Sequence, residues 1–303
     1  MRSFNGKILL FGEYAIIKGS MGLAFPIEGF AGQLDFTENS QNLSQKLRLD
    51  EFYKYLKGSK LLNQTMNLAR LKTDIEKGLY FKSNIPQGYG IGSSGALCAG
   101  LYAEYALDFE QKTHYENDEL MSLKDIMSLM ESFYHGTSSG IDCLISLINL
   151  PVIIESRSKV KICENPLPKI PGHFYLFDSG KARMTSSFVH DFMEKFEKNT
   201  EYREQIMQFV NVTNDIIKKC KVGQNIDESF HQLSRLQYLH MPKMIPQSLK
   251  NFWLTGLESR KYYVKLCGAG GGGYFIVYTH DPETQSKFDS DQAFTRIKYG
   301  QGL

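Results

Sequence analysis

Two glycine-rich segments carry the first chemical signal. Pro86-Gln-Gly-Tyr-Gly-Ile-Gly-Ser-Ser-Gly-Ala96 sets Gly88, Gly90 and Gly92 directly before a run of small residues and leucines. Glycine adopts positive φ at no steric cost and lets a ligand come close to the backbone. Such a turn feeding a helix aims several N–H groups, plus the helix dipole, at one spot, which makes a cradle for phosphate. The spacing is not GxxxxGK[ST], so this is not a Walker loop. The bland alternative is a tight strand-to-helix turn without a ligand. The second segment, Cys267 to Tyr274, has five glycines in the six positions 268–273. A simple hairpin needs one or two, and each glycine costs backbone entropy on folding. Such a loop points to something that approaches its backbone closely.

Two further segments contain candidate charged groups. Glu131 ends an amphipathic stretch, and Asp142 opens an apolar one after His135-Gly-Thr-Ser-Ser-Gly140. Taken alone, Asp142 reads as a helix cap and Glu131 as part of a solvated face. Lys7 stands before a short apolar run that ends in Gly12-Glu13-Tyr14. Taken alone, it is a surface charge.

The elements that must position these residues are mixed. Residues 7–11 read as a strand, 15–17 as a short extended piece, 23–36 as further strand and 79–83 as another strand. Helical spacing covers 48–75. A helix starts at Ser93, which is expected to cap it. Residues 118–133 place Leu120, Leu123, Ile126, Met127, Met130 and Phe133 near a period of 3.6. The apolar run 143–154 is broken by Ser146, Asn149 and Pro151. Prolines 151, 166, 168 and 171 mark a change of domain near residue 168. Beyond it come a strand at 173–177, helices near 186–198, 201–220, 227–239 and 247–258, and a strand–loop–strand closing at 278.

Length and composition fit this reading. The 303 residues suggest about two domains. Hydrophobic residues at 42% supply a core, which excludes a wholly disordered chain. Lys+Arg 35 against Asp+Glu 33 gives +2, which argues against nucleic acid as a partner. The five cysteines form no CxxC pair, and the histidines form no HExxH. A disulfide framework or a zinc site is therefore not expected, and free thiols in a reducing cytoplasm are. No apolar run has the length of a signal peptide or a bilayer span.

The four segments together resemble the GHMP kinase superfamily, with its three motifs in order. They read Gly6-Lys-Ile-Leu-Leu-Phe-Gly-Glu-Tyr14, Pro86-x-x-x-Gly-x-Gly-Ser-Ser94, His135-Gly-x-x-Ser-Gly-Ile-Asp142 and Gly268-Ala-Gly-Gly-Gly-Gly273. The set spans residues 6 to 274. Within the superfamily the pattern looks most like mevalonate kinase. It departs at Tyr14, where that family has histidine and phosphomevalonate kinases have Gly-Glu-Tyr, and at Gly95, where alanine is usual.

The resemblance implies an α+β protein of two domains with the active site in the cleft between them. Residues 1–168 would form an ATP-binding domain of the ribosomal protein S5 domain 2-like fold. Residues 169–303 would form a ferredoxin-like domain. It also implies an ATP- and Mg²⁺-dependent kinase acting on a small-molecule alcohol, first of all mevalonate. The phosphates would lie on Pro86, Gly88, Gly90, Gly92, Ser93, Ser94 and Gly95, with Gly270 and Gly271 closing over them. Ser94 and Glu131 would hold Mg²⁺, hard oxygen ligands for that ion. Asp142 would accept the hydroxyl proton, with Lys7 beside it. Glu13, Tyr14, His135, Arg183, Thr185 and Gly271 would face the acceptor. The alternatives are a phosphomevalonate or sugar kinase, or a metabolite sensor without turnover. A homoserine kinase fits less well, because that branch generally lacks the aspartate. The expected setting is the cytoplasm, without membrane or nucleic-acid partners and with room for a homodimer.

Overall fold

The computed structural model describes residues 2–37, 43–163, 170–182 and 188–298. The chain divides into two compact units. The first comprises Met1–Lys7, Pro26–Ile85 and Gly92–Leu150. The second comprises Ile8–Phe25, Pro86–Ile91 and Pro151–Leu303. The strands β1 (Ser3–Phe11) and β2 (Gly22–Phe36) each begin in one unit and end in the other.

The first unit also contains α1 (Leu43–Gly58), α2 (Lys60–Thr65), α3 (Leu68–Glu76), β3 (Leu79–Ser83), α4 (Ser93–Tyr105), α5 (Asn117–His135) and α6 (Ile141–Ile148). Here β2 pairs antiparallel with β3, from Gly32 opposite Ser83 to Phe36 opposite Leu79. Helix α4 buries Gly95, Ala96, Cys98, Ala99, Gly100, Leu101, Tyr102 and Tyr105. Those positions surround the helix, so it is a core element rather than an amphipathic surface one. Helix α5 is amphipathic, and its buried stripe of Leu120, Leu123, Met127 and Met130 includes Glu131. Gly140, at φ 74°, starts α6. A Cβ there would stand 2.2 Å from the Lys124 carbonyl oxygen and 2.6 Å from the Ser128 nitrogen. Only glycine lets the start of α6 pass that close to the backbone of α5.

The second unit contains β4 (Val152–Ser156), β5 (Lys159–Ile162), β6 (His173–Asp178), α7 (Phe188–Lys198), α8 (Thr200–Lys221), α9 (Asp227–His240), α10 (Gln247–Ser259), β7 (Tyr263–Leu266), β8 (Tyr274–Thr279), α11 (Pro282–Ser290) and β9 (Phe294–Arg296). The start of β2 pairs antiparallel with β4, and β4 with β5. A separate antiparallel sheet has the order β7–β8–β6–β9. Every residue of β7 and β8 is buried, and α9 and α10 pack on β7. No helix among the described residues is long and apolar enough to cross a membrane.

Several local expectations change. Residues 15–18 form a 3-10 turn rather than an extended piece, closed by Gly19 at φ 90°. The helical stretch 48–75 is three helices, broken where Ser59 and Asn67 cap new starts by accepting from Leu62 N and Arg70 N. Ser93 does not cap α4. Gly92, at φ 80°, holds the cap position without a side-chain bond, and Ser93 is the first helical residue. The apolar run 143–154 splits into α6 and β4 at Asn149, which adopts φ 56°. The expected boundary at residue 168 lies outside the described residues.

Candidate active site

Within the first unit, the first turn of α4 gathers the charged candidates. Lys7 Nζ lies 2.9 Å from Asp142 Oδ2, with side-chain exposures of 7% and 37%. The lysine is sheltered, while the carboxylate keeps an open side for a reactant. A Cβ on Gly92 would come within 3.0 Å of Lys7 Cγ. A Cβ on Gly95 would come within 3.0–3.2 Å of the Asp142 and Cys143 backbone and of Asp142 Cβ. Glycines at 92 and 95 therefore bring the helix start close to both partners. An alanine at 95 would require a shift of a few tenths of an ångström.

The neighbouring residue, Ser94, turns to α5. Its hydroxyl donates to Glu131 Oε1 at 3.2 Å and lies 3.0 Å from His135 Nε2. Ser138 donates to Glu131 Oε2 and accepts from the Gly140 N–H at 3.0 Å. The Ser128 hydroxyl in turn donates to the Ser138 carbonyl at 2.6 Å. Glu131 is thus a buried carboxylate clamped by two hydroxyls. Burial pushes its carboxyl above the usual range, the negative charge of Asp142 adds to that, and the Ser138 bond, His135 and Lys7 pull the other way. A divalent cation would relieve both the burial and the carboxylate repulsion. A carboxylate and a serine hydroxyl are hard donors of the kind that Mg²⁺ takes together with phosphate oxygens and water.

The three glycines before α4 all stand in the left-handed region. Gly88, Gly90 and Gly92 have φ of 79°, 84° and 80°. The first N–H groups of a helix have no partner within it, so the start of α4, after Gly92 in the first unit, suits an anion.

In the second unit, the loop 268–273 has five positive-φ glycines, from Gly268 at 70° to Gly273 at 73°. The Gly271 N–H donates to the Met244 carbonyl at 2.7 Å, and the Gly273 N–H to the Lys181 carbonyl at 2.6 Å. A Cβ on Gly273 would stand 2.7 Å from Tyr89 Cα, and one on Gly90 would stand 3.0 Å from the Cys267 carbonyl oxygen. The two glycine segments thus meet backbone to backbone at 89–90, and the later loop braces the earlier one. Glu13 forms a buried ion pair with Lys265, at 2.7 Å and with exposures of 2% and 1%. The Tyr14 hydroxyl donates to the Ala269 carbonyl at 2.7 Å.

The structure brings Lys7, Gly92, Ser93, Ser94, Gly95, Glu131, His135 and Asp142 together in one unit. Pro86, Gly88, Gly90, Glu13, Tyr14, Gly270 and Gly271 lie in the other unit. Arg183 and Thr185 lie outside the described residues. Sequence reasoning missed Ser138 and Lys265. A serine in a turn gives no signal of a bond to a carboxylate seven residues earlier. Lys265 stands between Val264 and Leu266, and a charge inside a strand buried on both faces was the signal available.

The chain is similar to several known proteins. Residues 55–149 match the family model of the GHMP kinases N terminal domain. A mevalonate kinase of Dictyostelium discoideum is 24% identical, over 91% of this chain and 86% of that protein. The fold matches a crystal structure of L. major mevalonate kinase in complex with R-mevalonate, with TM-score 0.64 and 14% identity over 97% and 94% of the two chains. It matches Lactococcus lactis galactokinase complexed with galactose with TM-score 0.63 and 18% identity, over 99% and 93%. Two enzymes of different substrates fit almost equally, so the fold by itself does not choose the acceptor.

Proposed function

We propose that this chain, which carries a GHMP kinase N-terminal domain and belongs to the GHMP kinase superfamily, moves the terminal phosphoryl group of ATP onto the hydroxyl of mevalonate. The observation that carries the reading is the Lys7–Asp142 pair, held at 2.9 Å beside the first turn of α4. A sensor without turnover has no need of a sheltered ammonium against a half-open carboxylate. The name of the sequence relative favours mevalonate among the acceptors.

Asp142 accepts the proton of the acceptor hydroxyl as that oxygen bonds to phosphorus and the bond to the ADP oxygen breaks. The Lys7 ammonium steadies the negative charge that gathers on the transferring group. The turn Gly88–Gly92 and the start of α4 hold the phosphates through backbone N–H groups. Ser94 and Glu131 hold Mg²⁺, which neutralises phosphate charge when bound. Transfer of this kind needs positioning and electrostatics more than covalent help, and these residues supply both.

Release of ADP across mevalonate, phosphomevalonate, galactose and homoserine tests the reading. Mevalonate is expected to give the highest kcat/KM. A value about ten-fold higher for a sugar would move the assignment to that acceptor, since one well-made polar contact discriminates by at least that much. Glu131→Gln tests the metal site. The Mg²⁺ concentration giving half-maximal rate is expected to rise by about 10–100-fold or more. The unfolding midpoint should hold, because a neutral amide escapes the cost of burying charge. An unchanged Mg²⁺ dependence would remove Glu131 from the site.

A further inference from the structure

Glu13 and Tyr14 belong to the motif that the family resemblance assigns to the acceptor. In the structure both side chains turn into the protein. Tyr14 is buried at 4% exposure, and its hydroxyl reaches Ala269, inside the glycine loop. Its ring packs on Phe192 at 5.0 Å between centroids. Its backbone stands at φ 60° and ψ −43°, outside the regions that a tyrosine prefers. A strained residue of this kind persists where its surroundings fix it. One residue earlier, Glu13 is paired with Lys265 in the strand that leads into the same loop, and Lys265 Nζ also donates to the Leu266 carbonyl at 2.6 Å.

Two consecutive residues of one turn are therefore fastened to two points of one strand and loop, at 265 and 269. That loop bears on the next segment. Gly273 and the Cys267 carbonyl press on Tyr89 and Gly90, and the Tyr274 N–H donates to the Tyr89 carbonyl at 3.4 Å. We infer that Tyr14 and Lys265 are positioning residues for the glycine loop 268–273, and through it for the turn 88–90. The first-motif turn then serves the nucleotide side of the site. The assignment of that side rests on the kinase reading above.

Tyr14→Phe keeps the ring and removes the hydroxyl that donates to Ala269. Two measurements test the inference. In the ligand-free protein, amide hydrogen exchange over residues 266–274 is expected to speed up about 5-fold, the worth of one net hydrogen bond. In steady-state kinetics the KM for ATP is expected to rise by a similar factor, with the KM for mevalonate unchanged. Exchange over 266–274 at the wild-type rate overturns the positioning role. A rise in the acceptor KM alone also overturns it and makes Tyr14 an acceptor contact. The exchange experiment needs no turnover, so it decides the inference even if the protein phosphorylates none of the acceptors tried. That second outcome would sink the kinase reading instead.

Discussion

Asp142→Asn is expected to lower kcat by about 10²–10⁴-fold, equivalent to roughly 3–5 kcal/mol of barrier. The amide keeps the shape of the carboxylate and cannot take up the hydroxyl proton. It also loses the charge that pairs with Lys7 at 2.9 Å. ATP affinity should change little, because in the proposed function the phosphates rest on backbone N–H groups rather than on Asp142. Lys7→Met should also lower kcat strongly. Its side chain is almost wholly sheltered, so no water-exposed cation replaces it. The double variant should lose less than the sum of the two, since the groups act as a unit. Near-normal kcat in Asp142→Asn would reduce Asp142 to an acidic residue at the start of α6 with no part in the chemistry.

The second large effect concerns the glycines. Gly90→Val is expected to weaken ATP binding by about 10²-fold or more, from backbone strain of a few kcal/mol at a position that must remain left-handed. Gly90 has φ 84°, and a Cβ there would stand 3.0 Å from the Cys267 carbonyl oxygen. That neighbour is backbone of the bracing loop and cannot rotate away. Gly271→Val should act in the same direction through its φ of 80°. There the first atom met, at 2.5 Å, belongs to the Phe188 ring, which can swing aside, so the loss should be smaller. Calorimetry on variants shown to be folded checks both. Unchanged affinity in Gly90→Val would return the segment to an ordinary strand-to-helix turn.

Much of the local geometry of the candidate site was legible because its signals are local. Positive-φ glycines betray themselves by type, and the segments around 90 and 270 were read as close-approach loops on that ground alone. Glu131 carried a further signal, because it falls four residues after Met127 on the apolar stripe of α5. A carboxylate on a buried stripe is not a solvated face. What sequence could not supply was long-range pairing. Nothing near Ser138 shows that its hydroxyl reaches Glu131, and nothing near Tyr14 shows that it ends on Ala269, 255 residues away. In the fold, β5, β9 and α11 escaped notice. They have four, three and nine residues, too short for periodicity to stand out from neighbouring turns. The cap of α4 was misplaced by one residue, because Ser93 has the side chain of a cap while Gly92 has the backbone for it.

Phosphoryl transfer to mevalonate is read directly from the mass of mevalonate after incubation with the protein, ATP and Mg²⁺. Mevalonate is expected to gain one phosphoryl group, ADP to appear in equal amount, and the Asp142→Asn protein to yield almost none of either. No phosphorylated mevalonate from folded, ATP-binding protein would contradict the proposed function.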